Sequence, residues 1–146
     1  MKKKVLVLGV IMSSMLAWTG CTKEELIGTM TATIDGTTWV ATGQVAAKVQ
    51  NRVVITGTSG KTSIVLSPNG ITVGTYTTDP YSGNIQPFVF TPDVTNAQDI
   101  YVGTGGSINI TSYSNNRLSG NFNVSAANAV PQVKNISGEF KNILIN

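Results

Sequence analysis

The stretch Leu118-Ser119-Gly120-Asn121-Phe122-Asn123-Val124 decides the fold class. Apolar or small residues fall at every second position, with polar residues between them. Successive side chains of a β-strand point to opposite faces, so Leu118, Gly120, Phe122 and Val124 share one face and Ser119, Asn121 and Asn123 share the other. A helical period of 3.6 would scatter both sets around a cylinder. A strand with one apolar and one polar face is half-buried, and it needs further strands of the same pattern to close a core.

Such strands lie on both sides of it. Met30, Ala32 and Ile34 alternate with Thr29, Thr31 and Thr33, and Asp35-Gly36 then supplies a type I′ turn before Trp39. Val45, Ala47 and Val49 alternate with polar neighbours as the apolar set of the next strand; Asn51-Arg52 turns the chain, and Val53 and Ile55 resume the pattern. Gly57-Thr58-Ser59-Gly60-Lys61 ends that strand and opens another with Ile64 and Leu66. Pro68-Asn69-Gly70 marks a turn, followed by a short strand with Val73 and Tyr76. The stretch from Thr78 to Pro92 reads as the longest irregular region, with Phe88-Val89-Phe90 as an edge strand, where neighbouring prolines are tolerated. Ile100 to Gly103 is expected to fold back on Ile108 and Ile110 through Gly103-Thr104-Gly105-Gly106. Ser114-Asn115-Asn116 turns into the Leu118 strand. In the last strand, Lys134 to Ile145, the apolar residues Ile136 and Phe140 occupy one parity and Ile143 and Ile145 the other, which requires a bulge near Lys141-Asn142.

Short strands joined by tight turns run antiparallel. The chain is rich in Thr, Val, Ile, Gly, Asn and Ser, residues that suit pleated surfaces and turns. The expected fold is therefore all-β, an antiparallel β-sandwich of about ten short strands, with a closed lipocalin-like barrel as the alternative.

The N-terminal part has a different character. Lys2, Lys3 and Lys4 precede an apolar run from Val5 to Ala17 and small residues, the three parts of a secretory signal. The run is shorter than the ~20 residues that span a bilayer. Thr19-Gly20-Cys21 resembles the lipobox of bacterial lipoproteins, in which the cysteine takes up diacylglycerol and becomes the new N-terminus. Trp18 stands where an aliphatic residue is usual in that motif. Lys23-Glu24-Glu25, just behind the cysteine, resembles the surface-export signal of Bacteroidota lipoproteins. The organisation that follows is a signal peptide over 1–20, a lipid-anchored tether over 21–28 and a single β domain over 29–146. The expected location is the outer membrane, anchored by lipid and facing the cell exterior. With Cys21 the only cysteine, no disulfide can staple the domain, and stability must come from its core.

Of 146 residues, ten are basic and seven acidic. Three of the basic ones are Lys2, Lys3 and Lys4, so the chain after the leader carries seven of each. That balance argues for neither nucleic acid nor anionic lipid as a partner. The residues from Cys21 onward suffice for one domain with a real core and are too few for two.

The segments Thr31-Ala32-Thr33-Ile34-Asp35-Gly36-Thr37-Thr38-Trp39, Gly74-Thr75-Tyr76, Leu118 to Val124 and Ile136-Ser137-Gly138-Glu139-Phe140-Lys141-Asn142-Ile143, in that order and spacing, resemble a family of small Bacteroidota lipoproteins of unknown function. The resemblance implies an all-β extracytoplasmic domain and assigns no catalytic residue.

Absences exclude most catalytic chemistry. There is no histidine, which removes Ser-His-Asp and Cys-His arrangements and the usual zinc sites. Glu24 and Glu25 lie in the tether and Asp35 in a turn, leaving Asp79, Asp93, Asp99 and Glu139 as carboxylates on the domain. None has calcium-loop spacing, and no metal, cofactor or catalytic residue is expected. The chain is read as a non-enzyme. What remains is binding. Tyr76, Tyr81, Phe88, Phe90, Tyr101 and Tyr113 are the aromatic candidates for a sugar-stacking or protein-binding face. The phenylalanines are assigned to the core, and Asp79-Pro80-Tyr81-Ser82-Gly83 reads as a loop tip, so Tyr81, Tyr76 and Asp79 are the candidate ligand contacts. Three functions follow: a binding or envelope-interaction module, a barrel carrying a small apolar ligand, or a glycan-binding accessory protein.

Overall fold

Ten strands organise the residues described by the computed structural model, 27–79, 87–96 and 98–146. They are β1 (Thr29–Ile34), β2 (Thr37–Val40), β3 (Gly43–Val49), β4 (Arg52–Ser59), β5 (Thr62–Leu66), β6 (Gly74–Thr77), β7 (Phe88–Thr91), β8 (Tyr101–Ser114), β9 (Arg117–Ala127) and β10 (Val133–Leu144). No helix occurs among the described residues. Cys21, Lys23, Glu24, Glu25 and Tyr81 lie outside them.

The turns follow from residue chemistry. Asp35 (φ 48°) and Gly36 (φ 85°) both adopt the left-handed conformation that a type I′ turn demands, and so do Asn115 (φ 51°) and Asn116 (φ 57°). The β3–β4 reversal is made by Gln50-Asn51, one residue earlier than Asn51-Arg52, with Gln50 at φ 56°.

All named pairings are antiparallel, in the order β2-β1-β10-β9-β8-β7-β5-β4-β3, and β6 pairs with β8 beyond β7. The sheet curls into a half-barrel whose limbs face each other across one core, as the layers of a sandwich do. Its seam is stitched where β3 meets the end of the chain: Ala46 bridges Ile145, Asn146 N donates to Ala46 O at 3.0 Å, and Gln44 Nε2 donates to Gly28 O. Curling needs strands that bend. Register shifts between Gly103 and Gly105 and between Ile110 and Ser112 bend β8, and one between Phe140 and Ile143 bends β10. The last is the bulge expected near Lys141-Asn142. Asn142 adopts φ 51° there, and Ile143 and Ile145 are thereby turned inward with Ile136 and Phe140.

The β9 face is as read: Leu118, Phe122 and Val124 are buried, while Asn121 and Asn123 are exposed. Cross-strand pairing sets Phe122 over Gly138 and Phe140 over Gly120. At each glycine the phenylalanine ring fills the space a side chain would need; a Cβ on Gly138 would lie 2.6 Å from Phe122 Cζ.

Three expectations require correction. In β3 the inward residue is Ala46, and Val45, Ala47 and Val49 are exposed. The reason is pairing: Ala46 lies opposite Ile55 and Lys48 opposite Val53, and paired residues share a face, so the buried Ile55 fixes Ala46 inward. Phe88–Thr91 is an interior strand, between β5 and β8, because Pro87 and Pro92 flank it and leave its own N–H groups free to pair. Finally, Gly103-Thr104-Gly105-Gly106 does not reverse the chain; it lies within the single long strand β8. These glycines serve curvature and close approach, and at Gly106 (φ 103°) a Cβ would collide with the Asn123 carbonyl.

Among the described residues, every strand and the buried cluster, from Met30 to Ile145, fall within 29–146.

Candidate functional site

The β1–β2 hairpin carries the most distinctive surface. Asp35 does more than turn the chain: its Oδ1 accepts from Asn135 N at 2.9 Å and its Oδ2 from Lys134 Nζ at 3.1 Å, while Asp35 N donates to Asn135 O at 3.0 Å. These bonds tie the hairpin tip to the start of β10. The Asn135 N–H, then the Lys134 ammonium, hold the Asp35 carboxyl below its ordinary value. Lys134 Nζ also sits 5.2 Å from the centre of the Tyr101 ring. Tyr101 itself is buried and donates its hydroxyl hydrogen to Gln132 Oε1 at 3.0 Å.

Beyond this hairpin the sheet leaves a gap. Among the described residues, β2 pairs only with β1. Its other side faces the ends of β5 and β7 across an open cleft of about 330 Å³. Ile34, Trp39, Phe90 and Pro92 supply apolar walls, and Asp35, Lys134, Thr37, Thr38 and Thr62 supply charge and hydroxyls. The Trp39 indole reaches inward to β4, where a Cβ on Gly57 would lie 3.0 Å from its Cη2. Its Nε1 is buried with no hydrogen-bond partner among the described residues. The indole forms part of the cleft wall while packing against the core. Thr62 Oγ1 donates to Pro92 O at 3.3 Å and joins β5 to the segment after β7 on the opposite wall.

The sequence candidates lie elsewhere. Tyr76 is half-buried on β6; its hydroxyl donates to Thr72 O at 2.8 Å and lies 3.0 Å from Thr72 Oγ1. Its ring covers Gly70, where a Cβ would be 2.6 Å from Tyr76 Cε1. Tyr76 thus fastens the 67–73 connection to β6. Asp79 follows β6 and is exposed. Neither residue lines the cleft. Phe88, Phe90 and Tyr101 are core residues, with tilted ring pairs Phe88–Phe122 at 6.0 Å and Phe90–Tyr101 at 5.8 Å, and Tyr113 is exposed at the end of β8.

Trp39, Lys134 and Phe90 were not singled out from the sequence as one site. One signal existed: of the two tryptophans, only Trp39 lies among the described residues, and it follows a tight turn on a short strand. The partners come from strands distant in sequence, and only the curl of the sheet brings them together.

No curated protein and no solved structure matches the chain significantly. Residues 28–144 match the profile of DUF6252, a domain of unknown function, and those limits coincide with the strands and core just described, from β1 to the end of β10. The chain belongs to the DUF6252 family.

Proposed function

We propose that this protein is a lipid-anchored outer-membrane lipoprotein of the Bacteroidota type, displayed at the cell surface, whose β domain is a non-catalytic binding or envelope-interaction module. Lipid on Cys21 is the anchor, and Lys23-Glu24-Glu25 directs export to the surface. The observation that carries this reading is polarity along the half-barrel. The chain enters β1 at Thr29, close behind Cys21, while the Trp39 cleft lies at the other end of β1, beside the Asp35-Gly36 turn. A tether of 21–28 spans at most roughly 30 Å when fully extended. It holds the entry end near the membrane and presents the cleft away from it.

Within this reading, a glycan is the ligand class the cleft suits best. The half-buried Trp39 beside hydroxyls and a carboxylate–ammonium pair matches the apolar face and polar edges of a sugar. A hollow carrier of an apolar ligand has less support, because Phe88, Phe122, Phe140, Met30 and Ile108 occupy the interior.

Metabolic labelling with a fatty-acid analogue tests the anchor: the parent chain is expected to label and Cys21→Ser to lose both label and membrane association. Equal labelling of the two would overturn it. Replacing Lys23, Glu24 and Glu25 with alanine is expected to keep the label while shielding the domain from protease added to whole cells. For the cleft, Trp39 fluorescence reports occupancy directly, and a saturable change on titration with surface glycans is expected; no change across a glycan panel would remove that ligand class.

A further inference from the structure

The even charge balance after the leader conceals a segregation. Lys48 and Arg52 flank the β3–β4 turn, Arg117 follows the β8–β9 turn, and Lys141 lies opposite Thr29 where the chain enters β1. These positions share one end of the half-barrel: Ala46 bridges Ile145, and Ile145 N donates to Asn116 O at 2.8 Å, so both turns surround the C-terminus. Of the acidic residues among those described, only Glu139 is at this end, where it pairs with Lys141 at 2.7 Å. Asp35, Asp93 and Asp99 lie at the cleft end with Lys61 and Lys134, and Asp79 follows β6, which runs toward that end.

The same end carries exposed apolar side chains. Ile27 is 76% exposed and Val45 60%, and Val49, which pairs with Arg52, Leu144, which pairs with Arg117, and Tyr113 are exposed as well. Exposed aliphatic side chains at the same end as lysine and arginine are what an interfacial surface presents, the apolar groups entering the headgroup boundary while the cations meet phosphates.

The occupant follows from where the chain leads. The stretch from Cys21 to Ile27 spans at most roughly 25 Å. We infer that this end of the domain docks on a phosphate-bearing anionic lipid surface, so that the membrane orients the domain as well as retaining it. This inference rests on the reading of Cys21 as the lipid anchor. Cations act on headgroups only within about one Debye length, roughly 8 Å at physiological salt, a separation that a tether this short permits. Lys48 and Arg52 do this work, since Arg117 already donates from Nη1 to Asn142 O at 2.8 Å and Lys141 is paired with Glu139.

The test uses the leaderless, unacylated chain 22–146, which retains every strand and core residue among those described. It is sedimented with vesicles of phosphatidylcholine alone, and with vesicles in which phosphatidylglycerol replaces part of the phosphatidylcholine, at low and high salt. Binding to the anionic vesicles at low salt is expected, with little to the neutral ones and release by high salt. Each cation near an anionic surface contributes about fivefold, so Lys48→Glu with Arg52→Glu is expected to reduce binding at least tenfold, while Lys61→Glu at the far end leaves it unchanged. No binding to anionic vesicles at low salt, equal binding to both vesicle types, or an equal loss with Lys61→Glu would overturn the inference. The salt dependence of the unaltered chain needs no variant to fold. Because that chain carries no acyl group, a negative result removes the docking face while leaving Cys21 to be judged by labelling.

Discussion

Replacing Phe122 with alanine tests the packing logic of the domain at its most informative point. The side chain is 2% exposed, its ring lies 6.0 Å from that of Phe88 at an interplanar angle of 43°, and its tip rests over Gly138 on β10. Truncation removes the transfer free energy of the ring, the aromatic contact and the cover over a glycine that has no side chain to fill the gap. Phe→Ala in a core costs about 3 to 5 kcal/mol, of which the aromatic pair accounts for about 0.5 to 1.5. Domains of this size are held by about 5 to 15 kcal/mol, so the variant is expected to stay folded only marginally and to melt about 10 to 25 °C lower. Asn121→Ala and Asn123→Ala, on the exposed face of the same strand, are expected to cost less than about 0.5 kcal/mol. Thermal melts of the chain 22–146 decide between them, followed by circular dichroism in the far ultraviolet. If Asn123→Ala lowered the melting temperature as far as Phe122→Ala, the assignment of faces on β9 would be refuted, and the Phe–Gly pairs with it.

Gly120→Ala is expected to destabilise from the opposite direction, since a Cβ there collides with the Asn109 carbonyl and with Phe140 Cζ. Overpacking of this kind costs about 1 to 3 kcal/mol, visible as a lower urea midpoint, and Phe140→Leu in the same chain should restore only part of it because the carbonyl remains in the way. Asp35→Asn is expected to cost less than about 1 kcal/mol at neutral pH, because the pair with Lys134 is exposed. The Asp35 carboxyl is held below its ordinary value of 3.8, so its contribution is complete above that value and is lost as pH falls through the lower folded one. The stability difference between Asp35→Asn and the parent should therefore be flat from pH 7 to about 5 and close below about 4 in urea melts; a gap that widened on acidification would contradict the geometry.

What the amino-acid sequence determined by itself is local. A period of two needs only neighbouring residues, so the strands around Met30, Ile64, Phe122 and Ile136 and the inward sets on β9 and β10 were legible directly. Turn chemistry is equally local: Asp35-Gly36 and Asn115-Asn116 tolerate left-handed backbone, and the change of parity after Phe140 required a bulge that Asn142 supplies. Tertiary structure decided whatever depended on a partner strand. Val45, Ala47 and Val49 form an apolar set at alternate positions, yet they face outward, because β3 closes the seam and its register is set by β4 and Ile145. Gly103 to Gly106 has the composition of a turn and serves as a bend within β8, since β9 pairs along its whole length and offers the hydrogen bonds that a reversal would forfeit. The cleft was the least legible feature of all. Trp39, Phe90 and Lys134 lie far apart in sequence, and they meet only because one sheet, bent at its bulges and glycines, curls far enough to bring β2 against the ends of β5 and β7.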